Sequence, residues 1–96
     1  MKVHAVDYSF TGSVSITETI ETDFKLLYIR CSESGIKAEI SINGMKISNR
    51  PVLLDLIEIP QNQVILADIK KGSTLTLNLY ADDTNQHTGQ ITFIGA

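Results

Sequence analysis

The sequence predicts an all-β chain, folded as an antiparallel β-sandwich of eight or nine short strands, jelly-roll-like in its order of events. Three observations predict it. Period-two alternation runs through most of the chain and is cleanest over residues 73–80, where Leu75, Leu77 and Leu79 face one way and Thr74, Thr76, Asn78 and Tyr80 the other. Turn signals recur at intervals of roughly ten residues, the spacing of sandwiches and barrels. Composition agrees: isoleucine is the commonest residue, Thr and Ser are abundant, Ala is scarce and Trp is absent. β-Branched side chains lose less freedom on a strand than against a helix turn, so the bias favours pleated structure. Ninety-six residues make one domain, 1–96, with room for one core.

Residues 3–10 place Val6, Tyr8 and Phe10 on one face before Thr11-Gly12 breaks the run. Residues 13–21 alternate more sharply, with Val14, Ile16 and Ile20 against a ladder of hydroxyls at Ser13, Ser15, Thr17 and Thr19. Residues 24–31 are apolar on both sides, Phe24, Leu26 and Tyr28 against Leu27, Ile29 and Cys31, the pattern of a strand covered on both faces. Ser32-Glu33-Ser34-Gly35 turns the chain. A hairpin follows: Asn43-Gly44 suits the two-residue turn in which both positions have positive φ, which pairs 42 with 45, 41 with 46 and 40 with 47.

Residues 52–59 fit either a two-sided strand or a helical turn. Pro60 comes too soon for a useful helix, so a strand with at most a short helical turn at its start is expected. Residues 63–69 form a further strand, Lys70-Lys71-Gly72 turns into 73–80, and residues 90–94 close the sheet with Ile91 and Phe93 on one face.

The net charge is −3, and Lys70-Lys71 is the only adjacent pair among the eight Lys and Arg residues. Such a chain lacks the electrostatic footprint for tracking phosphates, so nucleic acid is not an expected partner. A single cysteine, Cys31, allows neither an intrachain disulfide nor a thiolate cluster. No stretch resembles a secretory signal or approaches the roughly 18 to 20 apolar residues that cross a bilayer. Synthesis in the cytoplasm without membrane insertion is the expectation.

The one dense polar cluster is residues 81–89. Asp82, Asp83 and Asn85 offer oxygens suited to Ca²⁺, and with Gln86 and His87 they could hydrogen-bond sugar hydroxyls; Tyr80, beside them on the polar strand face, could stack on a sugar ring or anchor a partner. A plain reading competes, because Asp, Asn and Gly also stabilise ordinary turns. The spaced ligands and bidentate Glu of an EF-hand are missing, and two histidines are too few for a His-based centre, so no metal and no cofactor is expected. Nor does any strand-to-helix elbow position a nucleophile, so the chain reads as non-enzymatic. Three strands apolar on both faces exceed what a two-layer sandwich hides, which points to a homo-oligomer with Leu27, Ile29, Ile57 and Ile65 at its interface.

The Asn43-Gly44 hairpin, the strand entry Lys71-Gly72-Ser73-Thr74-Leu75-Thr76-Leu77 and the closing Gly89-Gln90-Ile91-Thr92-Phe93-Ile94-Gly95 together resemble small jelly-roll or sandwich modules of bacterial virus particles and tail tips. The resemblance is architectural, spans most of the chain and is shared by carbohydrate-binding sandwiches. It implies a structural, assembly or attachment role among other virion or surface proteins. The alternatives are a carbohydrate-binding or other ligand-binding module and, third, a small inhibitor of a host enzyme acting through a sheet edge.

Overall fold

The computed structural model describes residues 2–46, 51–54 and 68–96. Among these residues nine strands follow one another: β1 (Lys2–Phe10), β2 (Ser13–Thr19), β3 (Phe24–Cys31), β4 (Lys37–Ile42), β5 (Met45–Lys46), β6 (Val52–Leu53), β7 (Asp68–Ile69), β8 (Thr74–Tyr80) and β9 (His87–Gly95). They form two antiparallel sheets packed face to face, one ordered β1-β9-β3-β7 and the other β2-β8-β4-β5, with β6 also on β4. Successive strands β1 to β4 alternate between the sheets. The arm β1–β2 therefore runs antiparallel to the arm β8–β9, Lys2 to Phe10 opposite Gly95 to His87 and Ser13 to Thr19 opposite Tyr80 to Thr74.

The alternation in the sequence becomes the two sides of each sheet. Val6, Tyr8 and Phe10 of β1, Leu75, Leu77 and Leu79 of β8, Ala38 and Ile40 of β4 and Ile91 and Phe93 of β9 all enter the core. Each fully buried Leu of β8 contributes about 1.5–3 kcal/mol relative to exposure. The hairpin register is as its turn chemistry dictates, Ile42 opposite Met45 and Ser41 opposite Lys46, with Asn43 at φ 52 and Gly44 at φ 81. Asn43 also ties the turn to β8: its side-chain oxygen accepts from Thr74 N at 2.9 Å, and its amide nitrogen donates to Ser73 Oγ at 3.3 Å.

Residues 24–31 depart from the expected two-sided strand. β3 pairs Leu26 with Gly95 but Tyr28 with Ile94, so one extra residue is accommodated at Leu27. A bulge of this kind reverses the facing of everything after it. Phe24 and Leu26 point inward before the bulge, and Ile29 and Cys31 turn toward the same core after it. Ile29 is fully buried within its own chain, which corrects its placement at a subunit interface. Leu27, the extra residue, is half-buried and lies outside the core cluster. Of the strands expected over 52–59 and 63–69, the structure describes β6, the fully buried Leu54 and β7. Ile57 and Ile65 lie outside the described residues, as does the 40-to-47 pairing.

Among the described residues β1 pairs only with β9, and β2 only with β8. The nine residues of β1 and seven of β2 are therefore the edges of facing sheets, on one flank of the sandwich. Neither edge contains proline, and neither register is interrupted by a bulge.

Candidate functional site

The polar loop is shorter than the sequence suggests, because β9 begins at His87, paired with Phe10. The first three residues of β9 escaped detection because Thr88 faces out and Gly89 presents no side chain. Residues 81–86 make the connection. The side chains of Asp82, Asp83 and Gln86 turn back onto the body of the sandwich.

His87 is the centre of that arrangement. Nε2 lies 2.7 Å from Asp83 Oδ1 and Nδ1 lies 3.1 Å from Glu33 Oε2, so a carboxylate meets each ring nitrogen. An imidazole can donate from both nitrogens only when protonated. Asp83, and after it Glu33, accordingly raises the His87 pKa above its ordinary value. The carboxylates respond in the opposite sense. Asp83 is lowered, first by His87 and then by the Asn85 backbone N–H, which donates to it at 3.0 Å. Glu33 is lowered first by Tyr8, whose hydroxyl donates to Oε1 at 2.7 Å, and then by His87.

Tyr8 shows why these groups meet. It is an inward-facing residue of β1, 3% exposed, and a buried phenol requires a hydrogen-bond partner. Burial raises its pKa, and contacts with Cys31 Sγ at 3.5 Å and with Glu33 raise it further. The backbone beside it is equally close. Ser32 N donates to the Gln90 carbonyl and Gln90 N donates to Ser32 Oγ, both at 3.0 Å, which draws the β3–β4 turn against β9. Only a glycine fits at 89, where a Cβ would fall against Ser32 Oγ and stand 2.6 Å from the Tyr8 hydroxyl.

The remaining candidates are dispersed. Gln86 accepts from Thr11 Oγ1 at 2.8 Å and donates to Ser9 Oγ at 2.7 Å. Asp82 pairs with Lys37 of β4 at 3.1 Å. Tyr80 lies on the outer face of the other sheet, where its hydroxyl donates to Glu39 Oε1 at 3.1 Å and Glu39 pairs with Lys46 at 3.2 Å. That bond to Glu39 raises the Tyr80 pKa, while Lys46 and Tyr80 together lower that of Glu39. The structure thus joins Asp83, Asn85 and His87, hangs Gln86 on β1, and sets Asp82 and Tyr80 apart on β4 contacts.

Sequence reasoning missed Glu33 and Tyr8 as members of the cluster. The one available signal was a tyrosine on an otherwise apolar inward face, which demands a polar partner without naming it. Chemically, the cluster holds a loop. Both nitrogens of His87 are engaged, leaving none to take a proton from a bound molecule, and among the described residues no three His, Cys, Asp or Glu side chains are placed to share a metal ion. No protein family matches the chain, and neither does any curated protein or solved structure.

Proposed function

We propose that this protein is a non-enzymatic attachment module that holds a neighbouring protein along its open flank by strand addition. The observation that carries this reading is the pair of long edges, β1 and β2, free of bulges and proline and without a second partner strand among the described residues. Natural sheets usually interrupt or cover such edges, because a row of unpaired backbone groups is a template for another chain. Strand addition uses that template directly, with main-chain hydrogen bonds supplying affinity.

The strand orders favour a jelly-roll reading of the sandwich, since the β1–β2 arm lies against the β8–β9 arm and both are shared between the sheets. A jelly roll with one open flank suits the role implied by the resemblance to virion and tail-tip modules. The neighbour is then a second copy or another particle protein. Sugar binding through residues 80–87 finds less support, because the polar groups of that region are spent on one another and on β1, β4 and β9.

Selection from a library of unconstrained peptides, followed by amide-exchange mapping, tests the proposal. Selected peptides should protect amides of residues 2–10 or 13–19. Peptides that bind elsewhere, or a glycan that binds wild type and is lost in Asp83→Ala, would overturn it in favour of a ligand-binding loop.

A further inference from the structure

At one end of the open flank the two edge strands part around a cleft of about 400 Å³. Val3 and His4 of β1 stand on one side, Glu18 at the end of β2 and Glu21 just beyond it on the other, and Ile20 and Phe24 form the apolar floor. His4 and Glu18 occupy inward-facing positions of their strands, His4 one step before Val6 and Glu18 one step after Ile16. Polar groups therefore sit where the rest of both strands is apolar.

These groups are poorly served by their own chain. His4 Nε2 is buried and has no hydrogen-bond partner; Glu18 Oε1, its nearest charge, stands 3.7 Å away. The ring is held in place against Phe93, with centroids 6.4 Å apart. Glu21 makes no hydrogen bond or ion pair among the described residues. Lys2 also lines the cleft, but its ammonium donates to the Asp23 carbonyl, leaving the Glu18 and Glu21 carboxylates beside the imidazole. A buried polar atom left without a partner costs free energy that an incoming hydrogen-bonding group would recover.

Resting on the flank reading above, we infer that this cleft receives the lysine or arginine side chain of an extended partner segment paired with β1 along the edge opposite β9. A strand added there alternates its side chains as β1 does, so the residue opposite His4 points between the sheets into the cleft. Its alkyl stem lies over Ile20 and Phe24, and its N–H donors reach the Glu18 and Glu21 carboxylates beside His4. The same carboxylates admit an acidic side chain poorly and leave an apolar one beside unpaired charge. Inward-pointing charges of this kind guard sheet edges against indiscriminate pairing, so here they select the strand that carries the complementary charge.

The test is a titration of the ¹⁵N-labelled protein with acetyl-Thr-Val-Arg-Val-Thr-amide and with its citrulline and glutamate counterparts, followed by NMR. The arginine peptide should shift the amides of residues 2–6 and 18–24. The citrulline peptide should bind about three- to tenfold more weakly, the range for two partly exposed ion pairs. In the double variant Glu18→Gln, Glu21→Gln the arginine peptide should fall to the level of the citrulline peptide, whose own affinity stays unchanged. Equal binding of all three peptides along β1 would overturn the cleft inference and leave strand addition standing. No shifts at residues 2–6 and 18–24 at millimolar peptide would also overturn it, with the flank then judged by the library selection, which is not restricted to basic sequences. Binding of N-acetylarginine amide as tightly as the pentapeptide would overturn the strand-borne occupant in favour of a free small cation.

Discussion

Replacing Ile29 by alanine should cost the fold about three times what replacing Leu27 costs, although the two large aliphatic side chains stand only two residues apart in β3. Ile29 is fully enclosed in the core, whereas Leu27 is the extra residue of the bulge and only half-buried. Truncation of Ile29 removes three apolar carbons, about 2.4 kcal/mol of transfer free energy at roughly 0.8 kcal/mol each. A cavity flanked by strands that cannot collapse adds to this, giving about 3–4 kcal/mol, inside the range for buried Ile→Ala. Leu27 forfeits about half the transfer free energy and leaves no enclosed void, so about 1 kcal/mol is expected. Urea unfolding followed by circular dichroism reads the difference directly, with unchanged slope and shifted midpoint. In thermal unfolding the same values correspond to a loss of about 12–32 °C against about 4–8 °C for a domain of this size. Equal costs, or a larger cost at Leu27, would refute the bulge and restore a strand that presents Ile29 to a second subunit.

Two further outcomes test the His87 cluster. Gly89→Ala places a methyl group against Ser32 and the Tyr8 hydroxyl. Ser32 can rotate away but the buried Tyr8 ring cannot, so a destabilisation of about 1–3 kcal/mol by urea unfolding is expected, as for other overpacked sites; a neutral substitution would show that the close approach is not needed. The cluster also fixes a pH window. Asp83 and Glu33 are lowered from ordinary values of 3.8 and 4.5, so their contribution is present above those values and lost as pH falls through the lower folded ones. His87 is raised from 6.5, so its contribution is complete below 6.5 and lost as pH rises through the higher folded value. The urea midpoint of wild type should therefore exceed that of His87→Gln most between about pH 4.5 and 6.5, and the gap should narrow on either side. A gap that widens above pH 8 would contradict the two-carboxylate arrangement.

Much of the architecture was legible along the chain. The single-faced strands β1, β2, β8 and β9 announced their inner residues by alternation, and Asn43-Gly44 fixed its own register because few residues besides Asn and Gly accept positive φ at both turn positions. Strand β3 was misread for a definite reason. Its apolar residues on both sides of the bulge belong to one face, and a pattern two residues in period has no means of recording where the period slips. The candidate site was legible only in part: residues 81–89 were recognisable as a polar cluster, but Glu33 and Tyr8, which give His87 and Asp83 their setting, lie 54 and 79 positions from His87.

Local matters are written into the chain: which residues alternate, where the backbone must turn, and how the Asn43-Gly44 hairpin pairs. These depend on neighbours within a few positions, so composition and spacing contain them. The remaining features arise from long-range pairing. The bulge at Leu27 is set by the register of β9 opposite it, the fate of the polar loop by carboxylates and hydroxyls brought from β1 and the β3–β4 turn, and the flank with its cleft by which strands have a single neighbour among the described residues. Each of these is a relation between segments distant in the chain, and the free energy that selects it exists only once those segments have met.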